Sequence, residues 1–182
     1  MNIGVDIDNV LNNLAESVLK VYNADANDNV TLQDIKSYDM SLYVKPEYKK
    51  YFPDYYYDGR VWACVEPDVE GFKVVNELHK RGHDIFFVTA THPNNVKNKY
   101  MWLQPYCEFD AWDKLIVCHN KRLVKLDMLI DDYEQNLNYR EGYCVLFNQP
   151  WNEDKNVEAE AWDRVLNWRH FRQKFIKGGL ML

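Results

Sequence analysis

The sequence predicts an α/β fold: a three-layer, Rossmann-like parallel sheet with a small, mainly helical cap inserted after the first strand and helix. Three observations carry this. Short apolar runs alternate with segments whose apolar residues recur at helical spacing. Those runs end on Asp, Thr or Asp-Asp, with a Lys just past another, and the polar ends of parallel strands are where such sheets bind ligands. Between about residues 23 and 67 the composition changes abruptly.

In chain order, residues 2–6 form a short buried strand ending in an acid, and from Leu11 the positions Leu11, Leu14, Val18 and Val21 predict a helix. The following stretch mixes Asp, Asn, Pro and Lys with seven tyrosines (Tyr38, Tyr43, Tyr48, Tyr51, Tyr55, Tyr56, Tyr57), Phe52 and Trp62. It sets the cap at 21–67 and the core at 1–20 and 68–182. Val69, Phe72, Val75 and Leu78 then predict a helix stopped by Gly82, before a buried strand at 85–89. Val96, Tyr100 and Leu103 mark another helix. Strands follow at 115–117, 128–130 and 144–147, and a last amphipathic helix spans about 157–177. Apolar strands with helices between them are buried on both faces, which implies parallel pairing.

The 182 residues suffice for one core with an insertion rather than two ordinary domains. At 47% hydrophobic the chain is globular, and no apolar run has the length of a membrane span. No basic flank, apolar stretch and cleavage site open the sequence, so the cytoplasm is the expected compartment. The four cysteines lie far apart without a C-x-x-C, as reduced thiols do. A net charge of −6 opposes binding of long nucleic acid but not of a small nucleotide, which needs only a few local donors. A homodimer is left open.

The strand-end residues suit phosphoryl transfer. A phosphomonoester repels nucleophiles, so its hydrolysis needs a positioned nucleophile, a proton donor for the leaving oxygen and cations around the phosphoryl group. Asp6 is the candidate nucleophile, forming an aspartyl-phosphate. Asp8 is the candidate acid and base. Carboxylates converging without His or Cys suit Mg²⁺, held by the side chains of Asp6 and Asp132. Asp131 is a further candidate metal ligand or a helix cap beside Asp132. Thr89, with Thr91 as competitor, and Lys121 are candidate phosphate-binding groups; alone, Lys121 reads as a surface lysine. His79 and His83 have metal-pair spacing, but Gly82 interrupts the helix between them.

The ordered runs Gly4-Val5-Asp6-Ile7-Asp8-Asn9-Val10, Phe87-Val88-Thr89, Lys121 and Leu129-Ile130-Asp131-Asp132 resemble the four motifs of the haloacid dehalogenase superfamily of phosphohydrolases. Within it, Lys99-Tyr100-Met101-Trp102, Asn120-Lys121 and 127–132 resemble the 5'(3')-deoxyribonucleotidase family, over roughly residues 2–20 and 65–150. The resemblance implies hydrolysis of (deoxy)ribonucleoside 5'-monophosphates, with Asp6 as nucleophile and Asp8 as acid/base. It also implies Mg²⁺ held by Asp6, the Asp8 backbone carbonyl and Asp132, and phosphate held by Thr89 and Lys121. Asn9 stands where many members have glycine, a change Asn tolerates because it accepts a left-handed backbone. Leu14 replaces a phenylalanine facing the base, Ala90 a serine and His119 an arginine of mammalian members. By analogy with caps of the superfamily, Tyr38, Asp39 and Met40 are candidate base contacts, although the tyrosines as a group read first as packing.

The nearest rival is a phosphatase of the same superfamily acting on a sugar phosphate. A receiver-like signalling domain would carry its acidic pair early and its phosphorylated Asp midway, the reverse of the order here. A non-catalytic nucleotide-binding protein is the remaining alternative, and neither G-x-x-x-x-G-K nor G-x-G-x-x-G occurs.

Overall fold

The computed structural model describes residues 1–138, 141–155 and 162–178. Strands β1 (Asn2–Val5), β2 (Asp84–Thr89), β3 (Leu115–Val117), β4 (Met128–Asp131), β5 (Tyr143–Phe147) and β6 (Asp163–Val165) form one sheet in the order β3-β2-β1-β4-β5-β6. Every adjacent pair is parallel. Winding runs from β1 out to β3 and then resumes at β4 on the other side of β1. The order therefore reverses between β1 and β4, where a ligand crevice opens beyond the strand ends. Register matters here: Val5 pairs with Phe87 on one side and Ile130 on the other, and the Asp6 amide donates to the Ile130 carbonyl at 2.9 Å. The acids that follow β1 and β4 therefore emerge side by side.

The helices are α1 (Leu14–Ala26), α2 (Gly59–Trp62), α3 (Val69–Lys80), α4 (Val96–Leu103), α5 (Glu134–Leu137) and α6 (Trp168–Phe171). Side chains alternate across the strands with period two, so each face of the sheet has its own cluster. On one face Ile3, Val5, Ile85, Phe87 and Ile130 pack with Phe72 and Leu78 of α3 and Trp168 and Phe171 of α6. On the other, Val88, Leu129 and Leu146 pack with Leu126 and Leu137. Three layers result.

A third cluster unites Leu14, Val18 and Tyr22 of α1 with Ile35, Met40, Phe52, Tyr55, Val61 and Val65 of the insert and with Trp151 beyond β5. Tyr22 meets Tyr48, Phe52 and Tyr55 edge-on at 5.5, 5.6 and 6.1 Å, the favoured geometry of aromatic pairs. Apart from α2 and the last turns of α1, which run into it, the insert coils in short 3-10 turns at Leu32–Asp34, Met40–Tyr43 and Phe52–Tyr57. Its sequence breaks longer helices: Asp39 and Asp58 accept from the amides of Ser41 and Arg60 and restart the chain, and Pro53 opens another turn.

Two boundaries differ from expectation. The first helix begins at Leu14 rather than Leu11. Asn12 instead forms an antiparallel bridge with Pro67, and the Leu11 amide closes a turn onto the Ile7 carbonyl at 2.9 Å. The expected helix over 157–177 is partly a strand: Asp163–Val165 pairs with β5, and helix starts only at Trp168, passing into a π-helical stretch at Arg172–Lys177. Val165 and Trp168 both face the core, and three residues apart they satisfy the helical pattern across a strand end. Residues 157–161 of that expectation lie outside the described residues.

Candidate active site

The chain leaves β1 into Asp6, Ile7 and Asp8, then turns at Asn9, whose φ of 59° is left-handed as the sequence allowed. Asparagine side chains hold the turn. Asn12 Oδ1 accepts from the amides of Asn9 at 2.9 Å and Leu14 at 3.1 Å, and Asn9 Oδ1 accepts from the Ala15 amide at 2.8 Å. Gln149, beyond β5, donates to the Asn9 carbonyl at 2.6 Å.

Asp6, Asp131 and Asp132 are all buried and offer oxygens within 4.8 Å of one another. One ammonium answers them. Lys121 Nζ, itself 2% exposed, lies 2.7 Å from Asp6 Oδ1 and 2.8 Å from Asp131 Oδ2. It is not the surface lysine its local sequence suggests. The two members of the acidic pair differ in their partners. Asp131 spends Oδ2 on Lys121 and Oδ1 on the Tyr133 amide at 2.9 Å and the Asn136 side chain at 3.0 Å. Asp132 Oδ2 is buried and has no hydrogen-bond partner among the described residues. Its backbone is fixed, since its carbonyl accepts from Asn152 at 2.8 Å and Trp151 at 3.3 Å.

Three carboxylates against one ammonium leave the cluster short of positive charge. Burial pushes the Asp6 carboxyl up to about 7; Lys121 pulls it back, and Asp131 and Asp8 push it further. Burial likewise raises Asp132 well above the carboxylate range, reinforced by Asp6 and Asp131. Lys121 is held above its ordinary value: burial works against its charge, but Asp131 and Asp6 prevail. An unpaired buried carboxylate oxygen beside a second under-compensated carboxylate is the setting that a hard, oxygen-seeking divalent cation fits.

Asp8 lies to the side of this cluster. Lys99 of α4, 2% exposed, reaches the Asp8 carboxylate and donates to Thr89 Oγ1 at 2.7 Å. Asp8 Oδ1 accepts from Asn12 Nδ2 at 3.2 Å. Thr89 is fully buried at the end of β2, two residues beyond the partner of Val5, so its hydroxyl comes level with the Asp6–Asp8 loop.

Asp8 also enters the wall of a cavity of about 380 Å³ between core and insert, whose lining includes Leu14, Tyr38, Asp39, Met40 and Ala90. Phe52, Tyr56 and Trp151 make the walls largely aromatic. Tyr38 stacks on Tyr133 with ring centres 3.8 Å apart, which ties the insert to the loop after Asp132. The surrounding protein, then Asp132 and Asp6, keep the Tyr38 phenol above its ordinary pKa. Thr91 and His119 line an adjoining cavity of about 150 Å³ with Lys99 and Asp8.

The structure thus gathers the candidate phosphoryl-transfer residues of the sequence, Asp6, Asp131, Asp132 and Lys121 in one knot and Asp8 and Thr89 around Lys99, and sets Leu14, Tyr38, Asp39, Met40 and Ala90 along the cavity; the His79–His83 pair is not part of this site. His79 packs its ring against Phe109 at 4.4 Å, and Gly82, with φ of 90°, turns the chain before His83. Sequence reasoning gave no role to Lys99, Asn12, Gln149, Trp151 or Asn152. For Lys99 a signal existed: Thr89 and Lys99 are the strand end and the first full turn of the next helix, which in a parallel sheet meet at the same edge.

Comparison with known proteins follows the same line. Residues 1–178 match the family model described as 5' nucleotidase, deoxy (pyrimidine), cytosolic type C protein. A 5'(3')-deoxyribonucleotidase of Clostridium acetobutylicum is 35% identical over 164 residues, covering 88% of this chain and 89% of that protein. One from Bacillus subtilis is 30% identical over 175 residues, covering 96% and 98%. Among solved structures, a haloacid dehalogenase family hydrolase from Deinococcus radiodurans with bound phosphate and sodium has a TM-score of 0.63 at 12% identity, covering 98% of this chain and 96% of that one; at that identity the likeness concerns the fold.

Proposed function

The chain belongs to the family of cytosolic type C 5' nucleotidases, deoxy (pyrimidine), and from that membership we propose that it is a Mg²⁺-dependent phosphomonoesterase of the cytoplasm. It hydrolyses (deoxy)ribonucleoside 5'-monophosphates to nucleoside and phosphate through an aspartyl-phosphate on Asp6. One observation carries the reading: the carboxylate proposed to protonate the leaving oxygen, Asp8, stands in the wall of an aromatic cavity of about 380 Å³, within the size range of small-molecule sites. A nucleoside leaving group placed there brings its 5'-oxygen to Asp8.

Asp6 and Asp132, with the Asp8 backbone carbonyl, would hold Mg²⁺, and Asp131 supports the site by orienting Lys121. When bound, the metal neutralises the buried carboxylates and the phosphoryl charge. Lys99 and Thr89 hold phosphoryl oxygens, and Lys121 fixes Asp6 for attack. An Asp6 oxygen bonds to phosphorus as the bond to the 5'-oxygen breaks, and Asp8 gives that oxygen its proton. Asp8 then takes a proton from water, whose oxygen attacks phosphorus, releasing phosphate and restoring Asp6. Leu14, Tyr38, Met40 and Ala90 flank the sugar and base, and Asp39 offers an acceptor at the rim.

The test is phosphate release from deoxy- and ribonucleoside 5'-monophosphates and from sugar phosphates, with Mg²⁺ and with EDTA. Mg²⁺-dependent release concentrated on nucleotides is expected. Release mainly from sugar phosphates would overturn the nucleotidase reading while keeping Asp6 chemistry, and release undiminished by EDTA would remove the metal.

A further inference from the structure

Asn12 makes more contacts than the start of a helix requires. Its Oδ1 accepts from the amides of Asn9 and Leu14, which are the chain before it and the first residue of α1. That half of the side chain is an ordinary Asx-turn and cap. Because two backbone donors fix the oxygen, the amide nitrogen must face the other way, and it donates to Asp8 Oδ1 at 3.2 Å. The side chain is 7% exposed and cannot turn without abandoning both amides.

The backbone beneath it is equally constrained. Asn12 bridges to Pro67, the Asp68 amide donates to the Leu11 carbonyl at 2.8 Å, and the Asn13 amide to the Glu66 carbonyl at 3.3 Å. Asp8 is therefore gripped on both oxygens, Oδ1 by Asn12 and Oδ2 by Lys99. The two grips differ in kind. Lys99 divides its ammonium between Asp8 and Thr89 and sits where the phosphoryl group is proposed to bind, so substrate draws on the same donor. Asn12 has no such competing demand.

We infer that Asn12 is a positioning residue that aims the Asp8 carboxylate at the leaving oxygen and keeps it aimed when Lys99 turns to the phosphate. This rests on the reading of Asp8 as acid and base. A merely structural Asn12 would matter equally for every substrate. A positioning Asn12 matters most where the leaving oxygen needs a proton, as a nucleoside 5'-oxygen does and a nitrophenolate does not.

The experiment compares kcat/KM on a nucleoside 5'-monophosphate and on p-nitrophenyl phosphate for Asn12→Ser, Asn12→Asp and Asp8→Asn. Because kcat/KM reports events up to the first phosphoryl transfer, the later role of Asp8 toward water does not enter. Ser and Asp both keep an acceptor for the backbone amides, and neither presents the amide donor. The inference expects kcat/KM on the nucleotide to fall by about tenfold or more while that on p-nitrophenyl phosphate falls by less than about threefold. Equal loss on both substrates, or no loss, in a variant that melts like the native protein overturns it. Asp8→Asn separates the two levels: selective loss there without selective loss at Asn12 removes the inference alone, and unselective loss at Asp8 removes the acid/base reading with it.

Discussion

Lys99 Nζ lies 2.7 Å from Thr89 Oγ1, joining the helix after β2 to the strand end before it, and the same ammonium reaches Asp8. Lys99→Met keeps the apolar stem and removes the charge. It is expected to lower kcat/KM on nucleotides by about 10² or more and to weaken competitive inhibition by inorganic phosphate, because in the proposed mechanism the lost group holds both bound phosphate and the transition state. Steady-state kinetics with phosphate as inhibitor checks this; unchanged inhibition would place the phosphate elsewhere.

Asp131 and Asp132 are expected to respond oppositely to the same substitution. Asp132→Asn removes an uncompensated buried charge, so the metal-free protein should melt higher while stabilisation by Mg²⁺ is lost. Asp131→Asn leaves Lys121 paired with Asp6 but turns an amide donor toward either Lys121 or the Tyr133 and Asn136 donors, so the metal-free protein should melt lower, by about 1–3 kcal/mol. Thermal melts with EDTA and with Mg²⁺ distinguish the two. Equal behaviour would mean that both acids hold the metal.

The raised carboxyl of Asp6 sets the pH dependence of metal-free stability. Its folded value of about 7 exceeds the unfolded 3.8, so the folded state binds more protons between them. Stability is then fully present below about pH 4 and declines as pH rises through 7, by on the order of 4 kcal/mol at most. Asp132 acts in the same direction. In EDTA the melting temperature should fall from pH 5 to pH 8, and Mg²⁺ should restore far more at pH 8 than at pH 5. A melting temperature that rises over that interval in EDTA contradicts the arrangement of charges.

Tyr38 is expected to act on binding more than on chemistry. Tyr38→Ala removes a wall of the cavity and the stack on Tyr133. KM for nucleotides should rise about tenfold, in keeping with an aromatic contact worth roughly 1–1.5 kcal/mol, while turnover of p-nitrophenyl phosphate stays within about twofold. A uniform loss would assign Tyr38 to closure of the insert instead.

Five of the six strands could be read from the sequence because each is an apolar run bounded by polar residues. β6 could not: Asp163–Val165 buries only Val165, and its other two residues face partial solvent. Its place is fixed by pairing with β5 and by Arg164, which binds Asn148 and Asn152, contacts that no local pattern encodes. The same limit separates the site residues. Asp6, Asp8, Thr89, Asp131 and Asp132 stand at strand ends, where position alone marks them. Lys99 stands on an amphipathic helix and looks solvated until α4 is packed against β2, and Asn12 looks like one more polar loop residue until its amide finds Asp8. Trp151 and Asn152 follow β5 by several residues, and their hold on the Asp132 carbonyl exists only once β4 and β5 are neighbours.

The bridge between Asn12 and Pro67 brings together the chain just before α1 and just before α3, the two ends of the segment that carries α1 and the insert. More than fifty residues thus form a nearly closed loop, and for such a loop the entropic cost of closure grows only slowly with length. The segment can lengthen, shorten or be exchanged as a cassette with little strain on the sheet. Changes in the cavity wall that this segment supplies therefore need not disturb the acids at the strand ends.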